Sequence, residues 1–138
     1  MRSKGQVWGM DLDGAHVSVV SIPVSDQERA KRFYQEKLGF EVVLDNPFAE
    51  GRRWVMLRPA GGGAATTLVT WFTEMAPGMV QGTVLAVPDL EAAVADMARR
   101  GVAIDPAAIE EAPWGRWVTI EDPDGNSWVV QEDRPFPA

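Results

Sequence analysis

The stretch Ser21-Ile22-Pro23-Val24-Ser25-Asp26-Gln27-Glu28-Arg29-Ala30-Lys31-Arg32-Phe33-Tyr34-Gln35-Glu36-Lys37-Leu38-Gly39-Phe40 decides the fold. It opens on a short apolar run that reads as the end of a strand. Ala30, Phe33, Tyr34 and Leu38 then recur at helical spacing and make one apolar stripe. Ser25 and Glu28 form an S-x-x-E capping box, which would satisfy free N–H groups at the helix start. Gly39 suits the left-handed position just past the helix end. The same layout returns between Val87-Pro88-Asp89 and Arg100-Gly101-Val102. There Asp89 is the N-cap, and Leu90, Val94 and Met97 make the stripe. Arg99 and Arg100 occupy the last turn, where the helix dipole favours cations, and Gly101 ends it. The two Asp residues and the two Gly residues stand at nearly the same interval, so the chain repeats itself.

The flanking segments read as strands. Those over 16–24 and 80–87 precede the helices. Three follow the first helix, at 40–45, 53–58 and 66–73. Three follow the second, at 102–105, 115–121 and 127–132. Gly61-Gly62-Gly63 marks a loop between strands. Asp122-Pro123-Asp124-Gly125 is a turn, with Pro fixing φ at its second position and Gly at its fourth. Each half is therefore β-α-β-β-β. One helix can cover only one face of its sheet, so the halves should share a core. The class is α+β, with residues 1–15 an N-terminal arm and 16–138 one domain. Module one spans about 16–74 and module two about 80–132.

Composition narrows the function. The chain has 138 residues, enough for one domain with a real core. Its net charge is −7, which repels phosphate backbones and argues against nucleic acid. There is no Cys, hence no disulfide, thiolate nucleophile or Cys-based zinc site. The single His cannot supply two imidazoles to one site. No apolar run reaches the length of a membrane span. The opening MRSKGQVWGMDLDG lacks an apolar h-region, so a signal peptide is not expected and the expected location is cytoplasmic. Asp11-Leu12-Asp13-Gly14 lacks the later ligands of a calcium loop and reads as a turn. No G-x-S-x-G elbow or phosphate loop is present.

The stretch SIPVSDQERAKRFYQEKLGFEVV resembles the opening of the vicinal oxygen chelate superfamily. That superfamily includes glyoxalase I, bleomycin-resistance proteins and extradiol dioxygenases. VLAVPDLEAAVADMARRGV, followed by EDPDGNSWVVQE, resembles its closing module. The likeness covers roughly residues 16 to 132. It implies paired β-α-β-β-β modules in an open, curved mixed sheet whose concave side holds a ligand cleft. It also implies that homodimers are common.

Metal-dependent members carry four His or Glu ligands, and their motifs place them here at Val19, Thr67, Gly82 and Val129. Valine and glycine side chains offer no lone pair to a divalent ion. No cofactor is therefore expected. His16 and Glu132 are substitutes, each three residues from a ligand position and so on the opposite strand face.

Period-two alternation from these positions nominates the cleft. It brings in Trp54, Met56, Thr67, Trp71, Trp117, Thr119, Glu121 and Gln131. That is an aromatic pocket with sparse polar anchors, suited to a flat or cationic organic ligand. Trp128 falls on the other phase, as a core residue. Trp8 would pin the arm, and Trp114 would rim the cleft. Arg52, Arg53 and Arg58 read as solvated charges.

Three functions compete. The first is a metal-free small-molecule binder resembling bleomycin-resistance proteins. The second is a metal-dependent lyase, isomerase or dioxygenase with a non-standard set drawn from His16, Glu121 and Glu132. The third is a metal-free enzyme with Glu121 as general base. Whether the chain is an enzyme is open at this point.

Overall fold

The computed structural model describes residues 11–133. In chain order the elements are β1 (Val19–Pro23), α1 (Gln27–Arg32) running on into a π-helical turn (Phe33–Lys37), β2 (Glu41–Ala49), β3 (Arg52–Arg58) and β4 (Ala65–Val69). The second half has β5 (Thr83–Val87), α2 (Leu90–Arg99), a 3-10 turn (Pro106–Ala108), β6 (Glu110–Ala112), β7 (Gly115–Glu121) and β8 (Ser127–Glu132). Two four-stranded mixed sheets result, ordered β1-β4-β3-β2 and β5-β8-β7-β6. β1 runs parallel to β4 and β5 to β8, and the other neighbours are antiparallel. Each half is β-α-β-β-β, as the repeat predicts.

Several local expectations are corrected. The cap of α1 is Asp26, whose carboxylate accepts from the Arg29 backbone N–H at 3.1 Å, rather than Ser25. A carboxylate is favoured at the positive end of a helix. Ser25 is left free to donate its hydroxyl to Asp124 at 2.6 Å. Residues 102–105 do not form a strand. Asp105 instead caps the 3-10 turn, which starts at Pro106, a residue with no N–H to give a ladder. The strand moves on to β6. His16 lies outside β1, which begins at Val19, and β5 begins at Thr83. β4 ends at Val69, so Trp71 follows the strand instead of belonging to it.

Alternation gives each sheet an inner, helix-covered face. In module one it carries Ile22, Val55, Leu57 and Leu68, all buried. In module two it carries Val118, Ile120, Trp128 and Val130, also buried. With Ala30, Tyr34 and Phe40 from the first half, and Leu90, Val94 and Met97 from the second, they form one hydrophobic cluster. The cavity between the modules, about 610 Å³, is lined from both sides by inner-face residues, among them Val20, Thr66, Leu85 and Trp128. The inner faces therefore meet across the middle of the chain.

The Asp122–Asn126 turn locks this packing. Gly125 takes φ +96°, which suits glycine. Buried Asp122 accepts from the Tyr34 hydroxyl at 2.7 Å and from the Asn126 amide at 2.8 Å. Asn126 also donates to the Pro23 carbonyl at 2.8 Å, and Trp128 Nε1–H to the Tyr34 oxygen at 3.0 Å. One polar chain thus joins β1, the π-helical turn and β8. Among the described residues no helix is long and apolar enough to cross a membrane.

Candidate functional site

The outer strand faces carry the nominated residues except Trp71, which follows β4. In module one Thr67 pairs in register with Ser21 on one side and Met56 on the other. Trp54 lies two residues before Met56 on the same face, opposite Asn46. In module two Trp117 pairs with Gln131, Thr119 with Val129, and Glu121 with Ser127. All are out of phase with the buried Val118, Ile120 and Val130. Both outer faces turn away from the shared core.

Two aromatic groups stand on these faces. Trp54 and Trp71 meet edge to face with centroids 5.7 Å apart. Phe48 joins both, at 4.8 Å from Trp54 and 5.3 Å from Trp71, and Phe72 flanks Trp71 at 6.1 Å. Edge-to-face and offset pairs of this kind suit the aromatic quadrupole, and Phe48 and Phe72 keep part of the cluster exposed. In module two Trp117 stacks on the exposed Trp114 at 6.2 Å, with planes 10° apart. Trp117 is not joined to Trp54 or Trp71 by a ring contact among the described residues. Among the described residues the single chain thus carries two aromatic patches on these faces.

Phe48 and Phe72 were not nominated from the sequence. β2 continues past the expected end at Asp45, with register shifts that include one between Pro47 and Ala49. The signal was Glu50-Gly51, a two-residue link between β2 and β3 with Gly51 at φ +71°. Trp128 is core, as alternation predicts, at 3 % exposure.

The positions that the resemblance assigns to the four metal ligands hold Val19, Thr67, Gly82 and Val129. Thr67 is buried, and its hydroxyl has no hydrogen-bond partner. One alcohol with two aliphatic side chains and a glycine does not fit a divalent ion. His16 is exposed, with Nδ1 3.3 Å from the Gly14 carbonyl oxygen. Glu132 lies on the inner phase near the start of α2, accepts from Arg116 at 3.2 Å, and groups with Asp89 and Glu91. Arg116 also bridges to Glu91, and these hydrogen bonds hold its guanidinium above its ordinary range. Glu121 is exposed and borders a cavity with Phe33 and Lys37. His16, Glu121 and Glu132 therefore occupy three different environments.

Arg53 departs from its expected solvated role. It grips Asp45 through Nε at 2.6 Å and Nη2 at 2.8 Å, and Glu28 at 2.8 Å. Lys31 completes the group at 2.6 Å from Asp45. The Arg53 and Lys31 hydrogen bonds hold the Asp45 carboxyl well below the usual carboxylate range.

The repeated β-α-β-β-β fold is that of a known class. Residues 15–130 match the Glyoxalase/Bleomycin resistance protein/Dioxygenase superfamily, and the chain belongs to it. Among solved structures it is similar to TnmS3, an antibiotic binding protein from Streptomyces sp. CB03234. The two share 40% identity over 87% of this chain and 97% of that one, with a TM-score of 0.79. A superfamily member from Sphaerobacter thermophilus DSM 20745 is 35% identical over 86% of this chain and 98% of that one, with a TM-score of 0.76. The uncharacterized protein YetH of Bacillus subtilis (strain 168) is 31% identical over 84% of this chain and 97% of its own length.

Proposed function

We propose that this chain is a metal-free binding protein for a flat, aromatic small molecule, as TnmS3 binds an antibiotic. The carrying observation is the Trp54–Trp71–Phe48 cluster, which offers ring faces on the sheet that would otherwise hold the family's metal. The net charge of −7 further favours a ligand with cationic character. The working form is a homodimer in the cytoplasm. A second copy would cover outer-face residues such as Val84, which is 54% exposed.

The test is a titration of the chelator-treated protein with 10-methylacridinium, a flat cation, followed by tryptophan fluorescence. Saturable quenching is expected, with Trp71→Ala several-fold weaker and still folded. Binding that appears only after a divalent metal is restored would overturn the metal-free reading. Absence of binding under both conditions would overturn the ligand class.

A further inference from the structure

Thr67 lies in the centre of β4 at 1 % exposure, and its hydroxyl oxygen makes no hydrogen bond. Buried hydroxyls are satisfied as a rule, so an orphan needs a reason. The adjacent Thr66, on the inner face, does bond, donating to the Leu57 carbonyl at 3.4 Å. Thr67 is the described residue with a buried side-chain polar atom left alone, and it sits on the outer face across from Met56, which is two residues from Trp54 on the same face of β3. A valine would fill the same space with no orphan, so packing alone does not call for the hydroxyl.

We propose that the Thr67 hydroxyl is the polar anchor of the ligand site and that it donates to a ring carbonyl of the bound molecule. This rests on the small-molecule reading above and names the ligand class more closely: a flat ring system bearing a carbonyl. Met56 is the movable cover. It stands directly across from Thr67 in the β3–β4 register, and its unbranched thioether can change rotamer with little strain. When Met56 swings aside, the hydroxyl gains an acceptor while the rings stack on Trp54 and Trp71. Aromatic faces supply area and tolerate many flat shapes. A single buried donor supplies the selection, because a ligand lacking the acceptor leaves it unpaired.

Two probes of the same ring frame separate the outcomes. 10-Methylacridone carries the carbonyl, and 10-methylacridinium has none. Thr67→Val is expected to melt no lower than the wild type, because it removes an unsatisfied group. It should bind 10-methylacridone about three- to tenfold more weakly, the range for one net hydrogen bond. Its affinity for 10-methylacridinium should be unchanged, and Thr67→Ser should keep the acridone affinity. Equal acridone affinity in wild type and Thr67→Val overturns the anchor, as does the same loss for both probes. Binding of acridinium alone overturns the anchor and leaves the small-molecule reading standing. Failure of both probes to bind removes both.

Discussion

Tyr34 shows how one residue can hold two modules together. It is fully buried, its hydroxyl donates to Asp122, and the same oxygen accepts from Trp128. Its ring touches Phe33, Phe40 and Trp128. Burial, reinforced by the neighbouring Asp122 carboxylate, pushes the phenol above its ordinary range. The folded state therefore keeps the proton that the unfolded chain gives up near its ordinary pKa of about 10. The stability tied to this group is complete below that pH. It falls as pH rises further, by about 1.4 kcal/mol per unit at most. This is the chain's one tyrosine, so tyrosinate absorbance reports it alone. The band is expected to appear only together with loss of the folded circular-dichroism signal. Ionisation in a chain that stays folded would contradict the assignment. Tyr34→Phe should cost about 1–3 kcal/mol, since it leaves buried partners unpaired. Trp128→Ala should cost about 3–5 kcal/mol through lost packing.

At the scale of elements, the parts legible in the sequence were those governed by period and punctuation. The two helices, the β7 and β8 strands and the Asp122–Asn126 turn follow from apolar spacing and from Gly and Pro positions. Ends were harder. Ser25 and Asp26 are both good caps, and the choice depends on Asp124, which lies across the fold. The early stop of β4 and the long reach of β2 are settled by pairing partners. Alternation assigned the outer-face residues of β3, β7 and β8 because aliphatic residues fill the other phase on each. It also brought Trp71 to Trp54, although Trp71 lies past the strand on which that argument rested. The Arg53–Asp45–Lys31 group was illegible, because nothing local signals that α1 will lie over β2 and β3. That group makes the first module acid-sensitive. Asp45 has a folded pKa below its unfolded value of about 3.9, so its contribution is present above that pH. It is lost as pH falls through the acid range toward the folded value. Urea melts from neutral pH downward should show Asp45→Asn already weaker at neutral pH, by about 0.5–1 kcal/mol. The gap to wild type should close in acid. A gap that stays constant with pH would mean the carboxylate's charge is not what matters.

The whole molecule poses a problem of completeness. Within one chain the inner faces meet, and the Trp54–Trp71 patch and the Trp114–Trp117 patch form separate groups on the outer faces. A ligand held between two aromatic patches needs module one of one chain to face module two of another. A homodimer arranged so would build two such clefts, each from two chains. Complementation between variants tests this directly. Trp71→Ala damages module one, and Trp117→Ala damages module two. In either variant alone both clefts are impaired. In a mixed dimer one cleft collects both substitutions, while the other joins two unaltered modules. Refolding the two variants together should therefore restore wild-type affinity for 10-methylacridinium at about half of the sites in each mixed dimer. Clefts confined to single chains would give no recovery at any mixing ratio. Light scattering of the unmixed protein provides the independent check: a dimer is required, and a strict monomer would remove the partner that this arrangement needs.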